Sequence, residues 1–192
     1  MLIASAIITV LSIVVLVRFT SFDSSVLLKS LAYEIAASVR EAQVYSLSVL
    51  GAVGEFRTPY GVSFEPDSQE YVLFRYGNLD FNADPRYDTS APHNATVVQE
   101  YTLGRSLRVI DVCITTTDGE VCNSDNTTEI TRLDIAFKRP EFRSVYYVAD
   151  LPSGTDLEDI QAVRIRLGTD MDSEVWSVTV GVLGYISVEY EG

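Results

Sequence analysis

The spacing of apolar residues divides the chain into two regions. Up to about Leu50 these residues follow a helical spacing, whereas from Tyr60 onward they alternate with polar residues. The first region opens with Met1–Val17, which holds no charge, proline or glycine before Arg18 ends the apolar run. Seventeen residues is near the lower limit of a membrane span, and in lipid a helix satisfies its own backbone hydrogen bonds. We therefore expect Met1–Val17 to be a transmembrane helix.

Beyond Arg18 the helical spacing continues, but the helix becomes amphipathic. Apolar residues recur every three or four positions, and the first glycine and proline are Gly51 and Pro59. A helix over the first fifty residues would be ~75 Å long, and only its first ~25 Å would lie in a membrane. The remainder is therefore expected to pack on the rest of the chain. The residues expected to dock on a sheet are Leu28, Leu31, Ile35, Val39 and Ala42.

Three small hydroxyl residues share one face of the apolar run. Ser5, Thr9 and Ser12 stand at i, i+4 and i+7. Such residues let a neighbouring helix approach closely, and their hydroxyls can bond to their own helix's carbonyls. The face is therefore a candidate helix-packing seam, the alternative being tolerated lipid-facing residues on a simple anchor.

The second region predicts strands with Gly, Asp, Asn and Pro between them. The predicted strands are Tyr60–Glu65, Gln69–Tyr76, Ala95–Tyr101, Leu107–Thr115, Glu120–Cys122, Ile130–Phe137, Arg143–Val148, Ala162–Leu167, Val175–Gly181 and Tyr185–Tyr190. The predicted fold class is α+β: a long N-terminal membrane and amphipathic helix packed on an antiparallel, β-rich globular domain. The predicted regions are 1–50, with 1–17 transmembrane and 18–50 amphipathic, and a β-rich head at 51–192.

The length, apolar content and net charge of the chain argue against some classes of function. The chain has 192 residues, 47% of them apolar, which suffices for the helix and one globular domain. A net charge of −13 argues against nucleic acid as the main partner, because phosphate binding depends on clustered Lys and Arg. A cleaved secretory signal is disfavoured because the apolar run has no basic segment before it and no A-x-A-like site after it.

Several segments together carry a resemblance to a known family. They are the apolar Met1–Phe19, LAYEIAASVREAQVYSLSV at Leu31–Val49, PYGVSFEP at Pro59–Pro66, FKRP at Phe137–Pro140 and GYISV at Gly184–Val188. In this order they resemble type IV pilins and type II secretion pseudopilins, in particular the GspH/FimT-type minor pseudopilins. The resemblance implies a pilin-like fold and a filament subunit. The partners that it implies are other pilin or pseudopilin subunits, the membrane, an inner-membrane assembly platform and a prepilin peptidase.

Two features depart from that family. The Gly cleavage site and the Glu that precede this position in the family are absent. We expect the sequence to start inside a longer precursor, the alternative being a protein that could not be processed normally. Many members also carry a proline where this chain has Val17, so a local helix break is not expected there.

The two cysteines flank a predicted hairpin turn. A four-residue loop at Thr116–Gly119 would place Cys113 opposite Cys122, where a disulfide closes with little backbone movement. We expect this bridge, and with it an oxidising compartment. A zinc site is not expected, because two cysteines and the distant His93 fall short of four ligands.

An acidic loop is a candidate calcium site. Asp80, Asn82 and Asp84 stand at alternate positions, and Asp88 could add a further oxygen. Pro85 stands where an EF-hand loop needs glycine, so the alternative is an ordinary acidic turn. No other cofactor is expected.

The leading functional hypothesis is a structural minor pilin or pseudopilin subunit that assembles through its N-terminal helix. The alternative is a membrane-anchored extracytoplasmic module that binds calcium or another ligand and does not polymerise. An enzyme is not expected, because His93 lies in a polar loop, is predicted to be a surface residue and has no orienting neighbour in the sequence. The expected location is a single pass in the cytoplasmic membrane with an extracytoplasmic head, and a periplasmic or cell-surface filament after assembly.

Overall fold

A computed structural model describes residues 2–47, 58–77, 86–91, 93–104, 107–124, 130–137, 143–151, 156–169 and 174–191. Within helix α1, side chains are described at positions 3, 7–13 and 25–47. The described elements are α1 (Leu2–Leu47), β1 (Tyr60–Phe64), β2 (Glu70–Arg75), β3 (Thr96–Thr102), β4 (Leu107–Thr115), β5 (Glu120–Cys122), β6 (Arg132–Phe137), β7 (Ser144–Ala149), a 3-10 turn (Leu157–Asp159), β8 (Ala162–Thr169), β9 (Trp176–Gly181) and β10 (Ile186–Tyr190).

The strands form two antiparallel sheets of five. The first sheet has the order β3-β2-β1-β6-β7, and the second has the order β10-β9-β8-β4-β5. Hydrogen bonds also join the sheets: the hydroxyl of Tyr146 on β7 donates to the carbonyl of Val180 on β9 over 3.0 Å. The amide of Val109 on β4 donates to the carbonyl of Ser68, beside β2, over 2.9 Å. The two sheets therefore enclose one continuous hydrophobic core.

The C-terminal half of α1 supplies one side of that core. It contacts β1 and β6 of the first sheet and β8, β9 and β10 of the second. The buried side chains recur every three or four residues, which places them on one helix face. They are Leu28, Leu31, Ala32, Ile35, Val39 and Ala42, each at most 5% exposed.

Polar contacts fix the helix on both sheets. The hydroxyls of Ser38 and Tyr71 share a buried hydrogen bond of 3.0 Å, which ties α1 to β2. The Gln43 amide donates to the Gly184 carbonyl over 3.2 Å, just before β10. Because these bonds reach different sheets, rotation of the helix about its own axis would break at least one of them.

The predicted fold class needs correction. The expectation of a long N-terminal membrane and amphipathic helix packed on the β-domain is contradicted, because the structure is mostly antiparallel β-sheet, in two sheets of five strands. The continuously described helical side chains, at 25–47, are amphipathic rather than apolar, and their buried stripe begins only at Leu28. The described helix runs to Leu47, and residues 48–57, which include the predicted helix end near Leu50, lie outside the described part.

The predicted membrane span is contradicted. Among the described residues, none of the helices is both long and apolar enough to cross a bilayer. This finding overturns the transmembrane assignment of Met1–Val17 and the single-pass membrane location built on it. The apolar composition of Met1–Val17 was weak evidence for a membrane span, because seventeen residues is the lower length limit. Ser5, Thr9 and Ser12 also interrupt the apolar run.

The disulfide lies between β4 and β5. Cys113 and Cys122 are paired directly across the two strands, with 4.0 Å between their Cα atoms, and their sulfurs are bonded. The turn between them is closed by the Thr116 amide, which donates to the Gly119 carbonyl over 2.8 Å. The bridge therefore holds the short edge strand β5 against the second sheet.

We predict that Ile35→Asp unfolds the β-structure. Ile35 is fully buried in the hydrophobic core, and an unpaired carboxylate there should lower the free energy of unfolding by more than about 4 kcal/mol. Thermal denaturation followed by circular dichroism measures the loss. Ser30→Asp, on the exposed face of the same helix, is the control. Equal melting temperatures for the two variants would show that α1 is not part of the core.

We predict that replacing both Cys113 and Cys122 by serine lowers the free energy of unfolding by about 2–3 kcal/mol. The bridge closes a short loop, with a sequence separation of 9, and its main effect is on the entropy of the unfolded chain. Urea denaturation measures the change. A reductant should destabilise the wild type to a similar extent and leave the double variant unchanged; a wild type indifferent to reductant would contradict the prediction.

Candidate functional site

The N-terminal part of α1 exposes a group of large apolar side chains, here called the apolar tip. A soluble surface rarely shows many such side chains together unless they contact a partner. Each is 55–79% exposed. The apolar tip consists of Ile3, Ile7, Ile8, Val10, Leu11 and Ile13.

The predicted hydroxyl seam lies on this tip. The Ser12 hydroxyl donates to the Ile8 carbonyl over 2.8 Å. This is the intrahelical bond expected of a small hydroxyl in an apolar segment, and it satisfies the polar group without a partner. Thr9 is exposed, and the side chain of Ser5 lies outside the described residues. The seam as a packing surface stays a prediction.

A cleft lies farther along the same helix, beside the edge strand β10. Its volume is about 370 Å³. One wall is the helix face that carries Ala36 and Ala37, whose small side chains leave the space open, and the other is β10. The lining residues are Tyr33, Ala36, Ala37, Arg40, Ile186 and Val188. The lining is thus mixed: apolar side chains lie beside Tyr33 and the cationic Arg40.

A buried carboxylate lies on the first sheet. Asp134 on β6 is fully buried and accepts hydrogen bonds from the Ser63 hydroxyl and, over 2.7 Å, from the Tyr87 amide. Arg132 lies 3.3 Å away. Removal from water nevertheless dominates and raises the pKa of Asp134 to about 6, whereas the bonds to Ser63, Arg132 and Tyr87 act in the opposite direction. This side chain attaches the segment that contains Tyr87 to the sheet.

A second buried carboxylate belongs to a charged cluster on the second sheet. Asp111 is 2% exposed and accepts from the Ser124 hydroxyl over 2.6 Å and from Arg166 over 3.3 Å. Arg166 also pairs with Glu191 over 2.8 Å, and these carboxylates raise its pKa although burial acts to lower it. Asp111 and Asp134 are thus not surface charges: each bonds and anchors a neighbouring segment.

The described residues contain one group of potential metal ligands. Asp111 lies close to Cys113 and Cys122, but the two sulfurs are bonded to each other and offer no thiolate. Of the predicted calcium ligands, Asp80, Asn82 and Asp84 lie outside the described part. Asp88 accepts from the amide and hydroxyl of Ser90, and these bonds lower the pKa of Asp88. The calcium site stays a prediction.

The prediction that His93 is a surface residue is wrong. It is 5% exposed, and its Nδ1 lies 2.8 Å from the buried Tyr76 hydroxyl. This hydrogen bond allows the imidazole to leave water. The polar sequence around His93 gave no sign of burial, since its partner lies seventeen residues away on the chain. The prediction that the protein is not an enzyme stays a prediction.

Comparison with known proteins gives no relative: no family model matches the chain, and neither a curated protein nor a solved structure matches it. The comparisons therefore give the pilin and secretion assignments no support. The resemblance to minor pseudopilins stays a prediction from the residues that carry it.

We predict that Asp134 makes the protein less stable as the pH rises from about 4 to about 6. Its pKa is above the usual value of 3.8, so the folded state binds the proton more tightly, and that stabilisation is present below pH 4 and is lost as the pH passes 6. The loss should be about 2–3 kcal/mol. Urea denaturation across this range, compared with Asp134→Asn, measures it; parallel profiles for the two proteins would contradict the prediction.

Proposed function

We propose that this protein is a structural subunit that assembles with other copies through the N-terminal part of α1. The observation that supports the proposal is the apolar tip, which is exposed on a helix whose other half is held in the core of the β-structure. A helix held in this way presents the tip in a fixed direction. The tip can therefore be buried without refolding of the head.

The size of the tip favours contact with more than one neighbour. Burying six side chains that are each more than half exposed contributes about 1 kcal/mol apiece, or about 6 kcal/mol in total. Bringing two proteins together costs about 4–15 kcal/mol in lost freedom. A single tip contact would thus be marginal, whereas in an assembly of many copies each subunit buries its own tip and also covers the tips of its neighbours. This arithmetic favours an assembly of many copies over a dimer.

The charge of the protein opposes assembly. With a net charge of −13, neighbouring heads repel one another, and salt screens this repulsion. The apolar contact does not depend on such screening. Assembly should therefore become stronger as the ionic strength rises.

On the basis of the resemblance to minor pseudopilins, we propose that this assembly is a type IV pilus or a type II secretion-like filament. Other pilin-like subunits would then be the neighbours of this protein. A prepilin peptidase and an assembly platform are the further partners that the resemblance implies.

We predict that the full chain forms high-mass assemblies and that Ile7→Asp or Leu11→Asp abolishes them. Each change places a charge on the surface that assembly would bury, which is costly. Both positions are exposed, so the melting temperature of the head should be unchanged. Sedimentation velocity and negative-stain electron microscopy at low and high salt measure the assembly.

Leu183→Asp is the matched control for these variants. Leu183 is 72% exposed and apolar but lies between β9 and β10, away from the tip. This variant should assemble like the wild type. A wild type that stays monomeric at every concentration and salt level would contradict the proposed function, as would equal assembly by Ile7→Asp.

A further inference from the structure

We propose that a short segment on the first sheet is a pH-sensitive strap, which opens as the Asp134 carboxyl ionises. The segment, here called the strap, comprises residues 86–91 and 93–95, which belong to none of the described helices and strands. It lies on the face of the first sheet that points away from α1. The inference concerns this face and does not depend on assembly through the apolar tip.

The strap covers Asp134. The neighbours of Asp134 on β6, Leu133 and Ile135, belong to the core that α1 completes. Since side chains alternate between the two faces of a strand, Asp134 points to the opposite face. There the Tyr87 amide of the strap donates to its carboxylate over 2.7 Å. The strap therefore lies between this carboxylate and water.

Ring contacts extend the strap across the sheet. On β7, the ring of Tyr147 lies under the guanidinium of Arg86, which is 5.3 Å from the ring centre. On β2, the ring of Phe74 lies 5.3 Å from the ring of Tyr87, and Phe74 is 0% exposed. Strands β6 and β1 lie between β7 and β2 in the sheet. Opening of the strap would expose aromatic surface on this face.

The strap has hydrogen bonds of its own. The Ala95 amide donates to the Asp88 carbonyl over 2.8 Å, and the Asn94 amide donates to the Ser90 carbonyl over 2.9 Å. Because these bonds lie within the strap, they can persist when it separates from the sheet. The strap can then move as a unit.

The closed strap keeps water from a group that can ionise. Asp134 is 0% exposed, and this burial raises its pKa to about 6 from the usual 3.8. An open strap would return the carboxyl to water and its pKa to the usual range. The bound proton therefore stabilises the closed state: this stabilisation is present below pH 3.8 and is lost as the pH rises through 6. Ionisation thus favours opening.

Other groups around Asp134 act in both directions. The hydrogen bond from Ser63 on β1 and the charge of Arg132, 3.3 Å away on β6, lower the pKa of Asp134, whereas Glu65 after β1 raises it. The other titratable groups on the elements that pack here are Tyr147 on β7 and, on the strap, Arg86, Tyr87, Asp88 and His93. The bonds that lower the pKa of Asp88 come from Ser90, so they also lie within the strap.

Hydrogen exchange of the full chain tests the inference. Mass spectrometry measures the protection factor, which is the intrinsic exchange rate divided by the observed rate, from pH 4 to pH 7. Peptides that contain the Tyr87 amide report on the strap, and peptides from β8 are the reference. Values for the pKa of 3.8 in the open state and about 6 in the closed state imply that strap protection falls about fiftyfold over this range.

Two substitutions separate ionisation of Asp134 from a purely structural role. Asp134→Asn keeps an oxygen acceptor but cannot ionise, so the fiftyfold change should disappear. Ser63→Ala removes a bond that lowers the pKa of Asp134, so the fall in protection should end at a higher pH than in the wild type. Ser68→Ala is the matched control, because its hydroxyl bonds the Glu70 carbonyl outside the strap, and its profile should match the wild type.

Three results would contradict the inference. Strap protection that is independent of pH would show that ionisation does not open the strap. Strap protection equal to that of β8 at every pH would show that the strap opens only when the whole protein unfolds. A pH profile that Asp134→Asn leaves unchanged would assign the titration to Asp88 or His93. If Asp134→Asn does not fold, Ser63→Ala and its control still decide, because equal profiles for these two variants would overturn the role of Asp134.

Discussion

The structure depends on the burial of one face of α1 against two sheets at once. Leu28, Ile35, Val39 and Ala42 are all 0% exposed, and the helix contacts strands of both sheets. A two-sided contact of this kind defines the position, depth and rotation of the helix. Hydrophobic contact alone is not directional. The hydrogen bonds from Ser38 to Tyr71 and from Gln43 to Gly184 therefore help to set the orientation of the helix. Because α1 is one helix, its buried half also sets the orientation of its exposed half.

The buried carboxylates follow from the same architecture. Strands β4 and β6 each have neighbours on both sides, so a polar side chain there loses water and needs partners. Asp111 accepts hydrogen bonds from Arg166 and Ser124. Asp134 accepts them from the Ser63 hydroxyl and the Tyr87 amide. Each carboxylate also bonds a residue outside its own strand, so its desolvation cost is offset by holding a connecting segment in place. For Asp134 the offset is incomplete, which is why its pKa remains raised.

Local patterns predicted the elements, but not their long-range partners. All ten strands were placed within two residues of their observed bounds, because alternation and turn residues are local signals. The cross-strand pairing of Cys113 with Cys122 was also predictable from local sequence, because it depends on one short turn. The division into two sheets was not predicted, because it depends on pairings such as β1 with β6 that no neighbouring residue specifies. His93 was misplaced for the same reason, since its burial depends on Tyr76. The membrane span was wrong because apolarity alone does not distinguish a surface for lipid from a surface for protein.

Two opposing features of the surface account for the kind of assembly proposed. The whole chain carries a net charge of −13, so heads that approach closely repel each other. The apolar tip extends along α1 away from the buried stripe, and Ile7 is ~30 Å from Leu28 along the helix axis. That distance exceeds the screening length of roughly 8 Å at physiological salt, so charges near the buried stripe act only weakly at the tip of the same copy. A self-association surface placed on the head itself would lack this separation. In the proposed assembly, the length of α1 would therefore let the apolar contact form where the charge of the tip's own head acts weakly.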